Sequence, residues 1–146
     1  MKKSPERGFS NIEGMEMNAP LPLFNSLDSS SQDLLVRHLQ LVIKANETLN
    51  LTRIDTQEEG MLLHIEDSLT GLEEVSEAPS GLYGDLGSGA GFPGIPLAIA
   101  TGRETVLIDS RQKKMLAVEE MIRELGLSNQ IRTFGGRAEL LARTER

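Results

Sequence analysis

Residues 85–94 read Asp-Leu-Gly-Ser-Gly-Ala-Gly-Phe-Pro-Gly, which places four glycines within eight positions. A short apolar segment precedes this glycine turn and a helical pattern follows it, so the sequence predicts a strand–turn–helix junction. Glycine permits positive φ angles and removes the Cβ atoms that would keep a ligand away from the backbone. Amides at the start of the next helix point outward at the positive end of its dipole. We therefore expect a ligand at this turn.

The segments around the turn alternate between strand and helix patterns. The predicted strands are 82–86, 105–108 and 131–134, and the predicted helices are 95–101, 111–125 and one that begins near residue 137. This order implies an α/β fold with a parallel sheet and right-handed crossovers. Ligands bind at the carboxyl ends of the strands in such sheets, which is where the glycine turn, Asp109 and residues 135–139 fall.

The N-terminal half follows a different pattern. Residues 1–28 show no periodicity and contain three prolines, which indicates a flexible N-terminal tail that settles only near Leu21–Leu27. One helix is predicted from the serines at 29–31 to about residue 48, and a capping box opens a second from 56 to about 74. Together these helices form an N-terminal helical cap over residues 29–78.

Composition excludes several kinds of chemistry. The chain of 146 residues has no cysteine, which excludes disulfides, thiolate catalysis and cysteine zinc sites. Its two histidines, His38 and His64, are isolated in the sequence, so we predict no metal site. We expect His38 to lie on an exposed helix surface. The N-terminus lacks the pattern of a signal peptide, and no apolar run approaches the roughly 18 residues of a membrane helix. A cytoplasmic protein without a membrane partner is expected.

The formal net charge of −7 is unevenly distributed. Residues 1–79 hold 6 basic and 14 acidic side chains, whereas residues 80–146 hold 9 and 8. In the second part Arg111, Lys113 and Lys114 fall in the first turn of a helix, where cations meet the dipole unfavourably. This placement favours an external anion such as an RNA phosphate, with a solvated or locally paired cluster as the alternative.

Three interpretations compete for the glycine turn. Residues 89–94 fit GxGxxG and Asp109 lies 20 positions after Gly89, which is the spacing of an NAD-binding oxidoreductase. The second reading begins at Asp85, because an acid two positions before the first glycine suits a cationic amine and would repel a pyrophosphate. S-adenosylmethionine is the amine-and-ribose ligand that fits. In the third, the turn only lets a helix pack on a strand.

The sequence resembles one family well beyond the turn. The segments that carry the resemblance are residues 85–99, Asn46 with Asn50-Leu51-Thr52, His64-Ile65-Glu66-Asp67-Ser68-Leu69, Leu107-Ile108-Asp109-Ser110 and Gly136-Arg137-Ala138-Glu139. Their order and spacing over roughly residues 35–142 resemble the RsmG (GidB) family of bacterial 16S rRNA guanine-N7 methyltransferases. The resemblance implies a class I (Rossmann-like) methyltransferase fold with S-adenosyl-L-methionine as cofactor.

The resemblance assigns one set of residues to the methionine portion of the cofactor. The backbone at Gly87, Gly89 and Gly91 would approach that portion closely. Asp85 would stabilise its amino group, and Phe92 would line the pocket.

A second set would hold the nucleoside. Asp109 would accept both ribose hydroxyls, while Ala138 and Glu139 would border the adenine, mainly through the backbone. Arg137 could face the RNA together with the basic side chains at 111–114, or pair with a nearby acid.

The implied reaction is methylation of guanine N7 in 16S rRNA of the small ribosomal subunit, the family target being the guanine at position 527 of that RNA. Guanine N7 carries a free lone pair, so no general base is needed and we name no catalytic residue; in-line positioning is sufficient. The resemblance also implies further strands. We therefore expect residues 79–146 to be the first half of the methyltransferase domain, with the C-terminal half of the sheet missing. An inactive fragment that binds RNA or a partner is the alternative.

Overall fold

A computed structural model of the chain describes residues 20–144. Six helical segments of the described residues, one of them a π-helix, precede the first strand, and strands and helices then alternate. In chain order the elements are α1 (Pro22–Asn25), α2 (Ser29–Leu49), α3 (Gln57–Gly60), π1 (Met61–Glu66), α4 (Asp67–Leu69), α5 (Leu72–Glu77), β1 (Tyr83–Leu86), α6 (Gly94–Thr101), β2 (Thr105–Asp109), α7 (Gln112–Glu124), β3 (Ile131–Gly135) and α8 (Ala138–Thr144).

The three strands form one parallel sheet in the order β1-β2-β3. Asp85 lies opposite Leu107, and Asp109 lies opposite Gly135 at the far end of the sheet. Every residue of the central strand β2 is buried, as expected for a parallel strand covered on both faces. The predicted α/β fold with a parallel sheet is confirmed, and each strand boundary lies within one residue of its prediction.

The second helix predicted for the N-terminal half is interrupted. Its start is as expected, since the Thr56 hydroxyl accepts a hydrogen bond from the amide of Glu59. The chain then passes through π1 and α4 and breaks at Thr70–Gly71. There the Thr70 hydroxyl donates to the carbonyl of Asp67 at 2.6 Å, a local bond that competes with continuation of the helix.

The predicted N-terminal tail comprises residues 1–28 and is expected to settle near Leu21–Leu27. Residues 1–19 of that segment lie outside the described residues. From Leu21 onward the chain is packed, because Leu21 and Phe24 are buried in the core. The Glu66 carboxylate accepts hydrogen bonds from the amides of Leu23 and Phe24 at 2.8 and 3.0 Å. These bonds fix α1 against π1.

Helix α2 joins the helical segment to the sheet. It contacts both α6 and α7, so its buried face continues the core that lies against the strands. That face includes Leu35, Leu39 and Val42, none of which has exposed side-chain surface. Among residues 20–144, no helix is both long enough and apolar enough to cross a membrane.

Candidate functional site

The glycine turn adopts the conformation that its sequence predicts. Gly87, Gly89 and Gly91 have φ angles of 70°, 57° and 99°, a region that other residues rarely adopt. The amide of Gly87 donates to the carbonyl of Ile108 at 2.7 Å, which ties the turn to the end of β2. A Cβ on Gly87 would meet no atom within 4 Å, so the backbone is open to a ligand at this point.

Asp85 lies beneath the turn. Its side chain is 7% exposed, and its Oδ2 atom accepts a hydrogen bond from the amide of Gly94 at 2.9 Å. Burial raises the pKa of Asp85 to about 6, and the nearby charge of Asp109 adds to that rise, while the Gly94 bond opposes it. This carboxylate therefore anchors the start of α6 to the end of β1.

Asp109 ends β2 and has a different environment. Its two oxygens accept four hydrogen bonds, one from the Gly89 amide and three from Arg111, through the backbone amide, Nε and Nη2. The side-chain bonds from Arg111 are the main reason that the pKa of Asp109 lies well below its usual range. Asp109 is thus ionised, and its acceptor positions are held by the guanidinium of a half-exposed arginine.

A cavity of about 560 Å³ opens beside Asp109 at the carboxyl ends of the three strands. Its lining unites most residues predicted to hold the nucleoside with two of the predicted cations: Leu86, Gly87, Ile108, Asp109, Ser110, Arg111, Gly136, Arg137, Ala138 and Glu139. Leu86 contributes apolar surface, being 67% exposed. The volume falls within the range of about 300 to 1,000 Å³ typical of small-molecule sites. We call it the nucleoside cavity.

The structure places other predicted cofactor residues elsewhere. Asp85 and Gly91 do not line the nucleoside cavity, and a Cβ on Gly91 would meet the Ile95 side chain at 2.6 Å. Phe92 lines a separate cavity of about 310 Å³ on the other side of the turn. Gly89 contributes through its bond to Asp109.

The predicted basic cluster is divided. Arg111 pairs with Asp109, whereas the Lys114 ammonium donates to the carbonyl of Asn50 at 3.3 Å. Lys113 is exposed, and Arg137 lines the nucleoside cavity. The local-pairing alternative therefore holds for Arg111.

The expectation of an exposed His38 is wrong. Its side chain is fully buried, and its Nε2 lies 3.1 Å from the carbonyl of Ala90, to which it donates. Burial lowers its pKa to about 4, so the ring is neutral. The sequence pattern indicates this burial, because His38 lies at helical spacing from Leu35 and Val42 and therefore on the same helix face.

Phe92 joins the two histidines, a contact that sequence reasoning missed. Its ring stacks on His64 with centroids 4.2 Å apart, and the His38 ring lies 4.6 Å away at a tilt. The hydroxyl of Thr52 is 2.8 Å from Nε2 of His64 and holds that ring in place. No spacing rule connects these residues, since they lie on separate elements.

Within residues 20–144, no cluster of three or more histidine, aspartate and glutamate side chains is arranged to hold a metal ion. A parallel β-α-β-α-β unit, a glycine turn after β1 and an ionised aspartate at the end of β2 define a Rossmann-like fold, which is the fold of class I methyltransferases. The match to a family model extends over residues 31–145, under the description "GidB: rRNA small subunit methyltransferase G". The chain therefore belongs to the rRNA small subunit methyltransferase G family, as the resemblance predicted.

Curated relatives agree with this assignment. Proteins called "Ribosomal RNA small subunit methyltransferase G" from Microcystis aeruginosa and Stenotrophomonas maltophilia are 40% and 41% identical, over 80% and 79% of this chain. The protein of that name from Gloeobacter violaceus is 46% identical over 70% of the chain. These matches cover 54%, 53% and 41% of the relatives. The chain thus spans about half the length of the curated relatives it matches.

Proposed function

We propose that this chain carries the cofactor-binding part of a methyltransferase that uses S-adenosyl-L-methionine to methylate guanine N7 in 16S rRNA of the small ribosomal subunit. The observation that carries the proposal is the ionised Asp109 at the end of β2, in one cavity with Ala138 and Glu139. The names of the relatives support the choice of substrate. This reaction belongs to the cytoplasm, where bacterial ribosomes are assembled.

The nucleoside cavity fits the adenosine portion of the cofactor. Asp109 could accept hydrogen bonds from both ribose hydroxyls once the cofactor displaces the guanidinium of Arg111, because a carboxylate has about four acceptor positions and Nε and Nη2 of Arg111 hold two of them. The exposed Leu86 and the neighbouring Ile108 offer apolar surface to the adenine. At Gly87 the absence of a Cβ leaves the backbone open to the methionine portion. The residues present thus suit the ribose and adenine of a nucleoside ligand.

The proposed reaction demands positioning and no proton transfer. S-adenosyl-L-methionine supplies an electrophilic methyl group, and guanine N7 supplies a lone pair. The chain contributes orientation, because β1 and β2 hold the glycine turn and Asp109 in fixed positions through the bond from Gly87 to Ile108. We therefore assign no general acid or base.

The start of α6 argues against NAD. A pyrophosphate at a helix N-terminus needs free backbone amides. Here the Gly94 amide donates to Asp85 and the Ile95 amide donates to the carbonyl of Gly91. Pro93 and Pro96 have no amide hydrogen to offer. The amides that a dinucleotide would require are absent or already bonded.

Calorimetric titration tests the choice of cofactor. Asp109→Asn should weaken binding of S-adenosyl-L-methionine by about 10-fold or more, because hydrogen bonds to a charged group contribute about 1.5–3 kcal/mol. Glu104→Gln is the matched control, since it removes an exposed carboxylate just before the amino end of the same strand. Tighter binding of NAD than of S-adenosyl-L-methionine, or equal affinity in the Asp109→Asn variant and the parent chain, would contradict the proposal.

A transfer assay tests the reaction itself. The chain is incubated with radiolabelled S-adenosyl-L-methionine and undermethylated small-subunit particles, and N7-methylguanine is located by reduction and aniline cleavage of the RNA. Label at a single guanine supports the proposal. Cofactor binding without label favours the fragment that only binds RNA or a partner.

A further inference from the structure

The second cavity lies on the other side of the glycine turn from the nucleoside cavity. It has a volume of about 310 Å³ and is enclosed by π1, α4, the Thr70–Gly71 break and residues 92–97. Phe92 and Pro93 form the wall that it shares with the turn. Because Gly87, at the other end of the same turn, lines the nucleoside cavity, one short loop separates the two spaces.

One wall of this cavity is aromatic and held in place. The Phe92 and His64 rings are nearly parallel, with an angle of 3° between their planes. The bond between His64 and Thr52 fixes the position of the imidazole. Leu63 adds apolar surface, since it lines the cavity while 52% exposed. Such a wall suits a flat, uncharged or cationic ring.

Asp67 is the acidic group of the cavity. It is exposed and lines the space, and no group among residues 20–144 donates a hydrogen bond to its carboxylate. The preceding acid, Glu66, is buried, and each of its two oxygens accepts a hydrogen bond, one from the amide of Leu23 and one from that of Phe24. Two consecutive carboxylates therefore differ: one fixes α1, and the other has free acceptors that face a cavity.

We propose that this cavity binds the target guanine base, with the Asp67 carboxylate accepting hydrogen bonds from its N1–H and its N2 amino group. The inference rests on the proposed function and specifies where the substrate lies. Guanine is the RNA base that presents these two adjacent donors, whereas adenine presents an acceptor at N1 that a carboxylate repels. To enter, the base would be extruded from the RNA stack.

The chemistry of methylation favours the same arrangement. Adding a methyl group to N7 places a positive charge on the base, and a nearby carboxylate and aromatic wall stabilise that charge as it develops. Burial lowers the pKa of His64, although Asp67 opposes that shift, so the imidazole is neutral near pH 7. A neutral ring next to the cavity does not repel the cationic product.

Nuclear magnetic resonance titration of the 146-residue chain tests the site. Guanosine 5′-monophosphate is compared with adenosine 5′-monophosphate, which matches it in sugar and phosphate. We expect the guanine nucleotide to shift the amide signals of residues 63–71 and Phe92, with an affinity about 10-fold higher than that of the adenine nucleotide. Asp67→Asn should remove this preference. Glu73→Gln, which removes an exposed acid on α5, should leave it unchanged.

Two outcomes would overturn the inference: equal shifts by the two nucleotides, or a guanine preference that survives Asp67→Asn. S-adenosylhomocysteine is titrated in parallel and read at Gly87, Asp109 and Ala138. If it binds while the guanine nucleotide shows no preference, the guanine site is wrong and the proposed cofactor stands. If S-adenosylhomocysteine fails to bind while the preference is present, the proposed function is wrong and the guanine site stands.

Discussion

The carboxyl ends of β1 and β2 carry one aspartate each, and the two side chains have opposite properties. Asp85 is buried under α6 with one hydrogen bond from Gly94, and its pKa is raised to about 6. Asp109 is just as buried, at 4% exposed, but it lines a cavity, accepts bonds from Gly89 and Arg111, and has a lowered pKa. Adjacent strands of one sheet thus place one aspartate in a structural role and the other in the position that we propose binds the cofactor.

The difference arises from the residues that follow each strand. After β1 the chain turns back through glycines, and the missing side chain of Gly94 lets α6 lie directly over Asp85. After β2 the chain brings the half-exposed Arg111 over the buried Asp109, and its side chain donates two hydrogen bonds to that carboxylate. Strand position alone therefore does not decide whether an aspartate is covered by the next helix or lines a cavity.

The largest effect is expected for Gly94→Ala, at the start of α6 above Asp85. A Cβ there would lie 2.6 Å from Oδ2 of Asp85 and closer still to a methyl group of the buried Leu107. We expect a loss of about 3 kcal/mol in the free energy of unfolding, measured by urea denaturation, because overpacking of this kind costs about 1–3 kcal/mol.

Gly84→Ala is the matched control for that substitution. Its Cβ would lie 3.9 Å from the nearest atom, a methyl group of Val106, which is an ordinary contact. We expect a change within about 0.5 kcal/mol, as for most surface substitutions. Equal losses of unfolding free energy in the two variants would show that α6 can move away from β1. Close packing of α6 over Asp85 would then not distinguish this strand end from that of β2.

The raised pKa of Asp85 predicts that the free energy of unfolding depends on pH, and this effect should be smaller than that of Gly94→Ala. Between pH 4 and 6 the folded chain binds more protons at Asp85 than the unfolded chain does, so this group stabilises the fold at low pH and that stability is lost as pH rises through about 6. Asp85→Asn does not titrate. The variant should therefore gain about 1–2 kcal/mol relative to the parent chain between pH 4 and pH 7.

Asp109→Asn is the control that sharpens this contrast. A lowered pKa stabilises the fold above the unfolded value near 4 and loses that contribution only as pH falls further, so this variant should show no such gain between pH 5 and 7. Unfolding is followed by circular dichroism across the pH series. A constant difference between Asp85→Asn and the parent chain would place Asp85 in contact with solvent.

Local patterns predicted the sheet and the turn because each depends on neighbouring residues. Val106, Leu107 and Ile108 form a continuous apolar run typical of a buried parallel strand, and glycines at alternate positions can adopt positive φ wherever they occur. The ribose role of Asp109 came from the family resemblance. The structure adds what a ligand would have to displace there.

What the sequence could not predict depends on contacts between distant elements. The stack of Phe92 on His64 joins the turn to π1, and the burial of His38 needs the Ala90 carbonyl opposite it. The sequence also does not distinguish Glu66, which binds α1, from Asp67, whose carboxylate accepts no hydrogen bond from residues 20–144. No periodicity or motif spacing contains such information, since all of these pairs form across the fold.

The smallest effect is expected for Arg111→Met, which removes the side chain that is bonded to Asp109 at the end of β2. The guanidinium occupies acceptor positions on Asp109 that the ribose hydroxyls would need, so it competes with the cofactor. An ion pair whose arginine is 53% exposed is worth about 0–1 kcal/mol, which limits the gain in affinity for S-adenosyl-L-methionine to about two- to fivefold. Lys113→Met is the control, because it removes the same charge from an exposed neighbour.

Calorimetry separates two roles for Arg111. Tighter binding in Arg111→Met than in Lys113→Met means that the cofactor displaces the guanidinium, which is then free to meet an RNA phosphate, as the sequence suggested for this cluster. Weaker binding means that Arg111 stays on Asp109 and helps to hold the ligand. In that case Asp85 and Asp109 would have similar roles in spite of their different pKa values. Each carboxylate would hold a protein group in place, Gly94 in one case and Arg111 in the other.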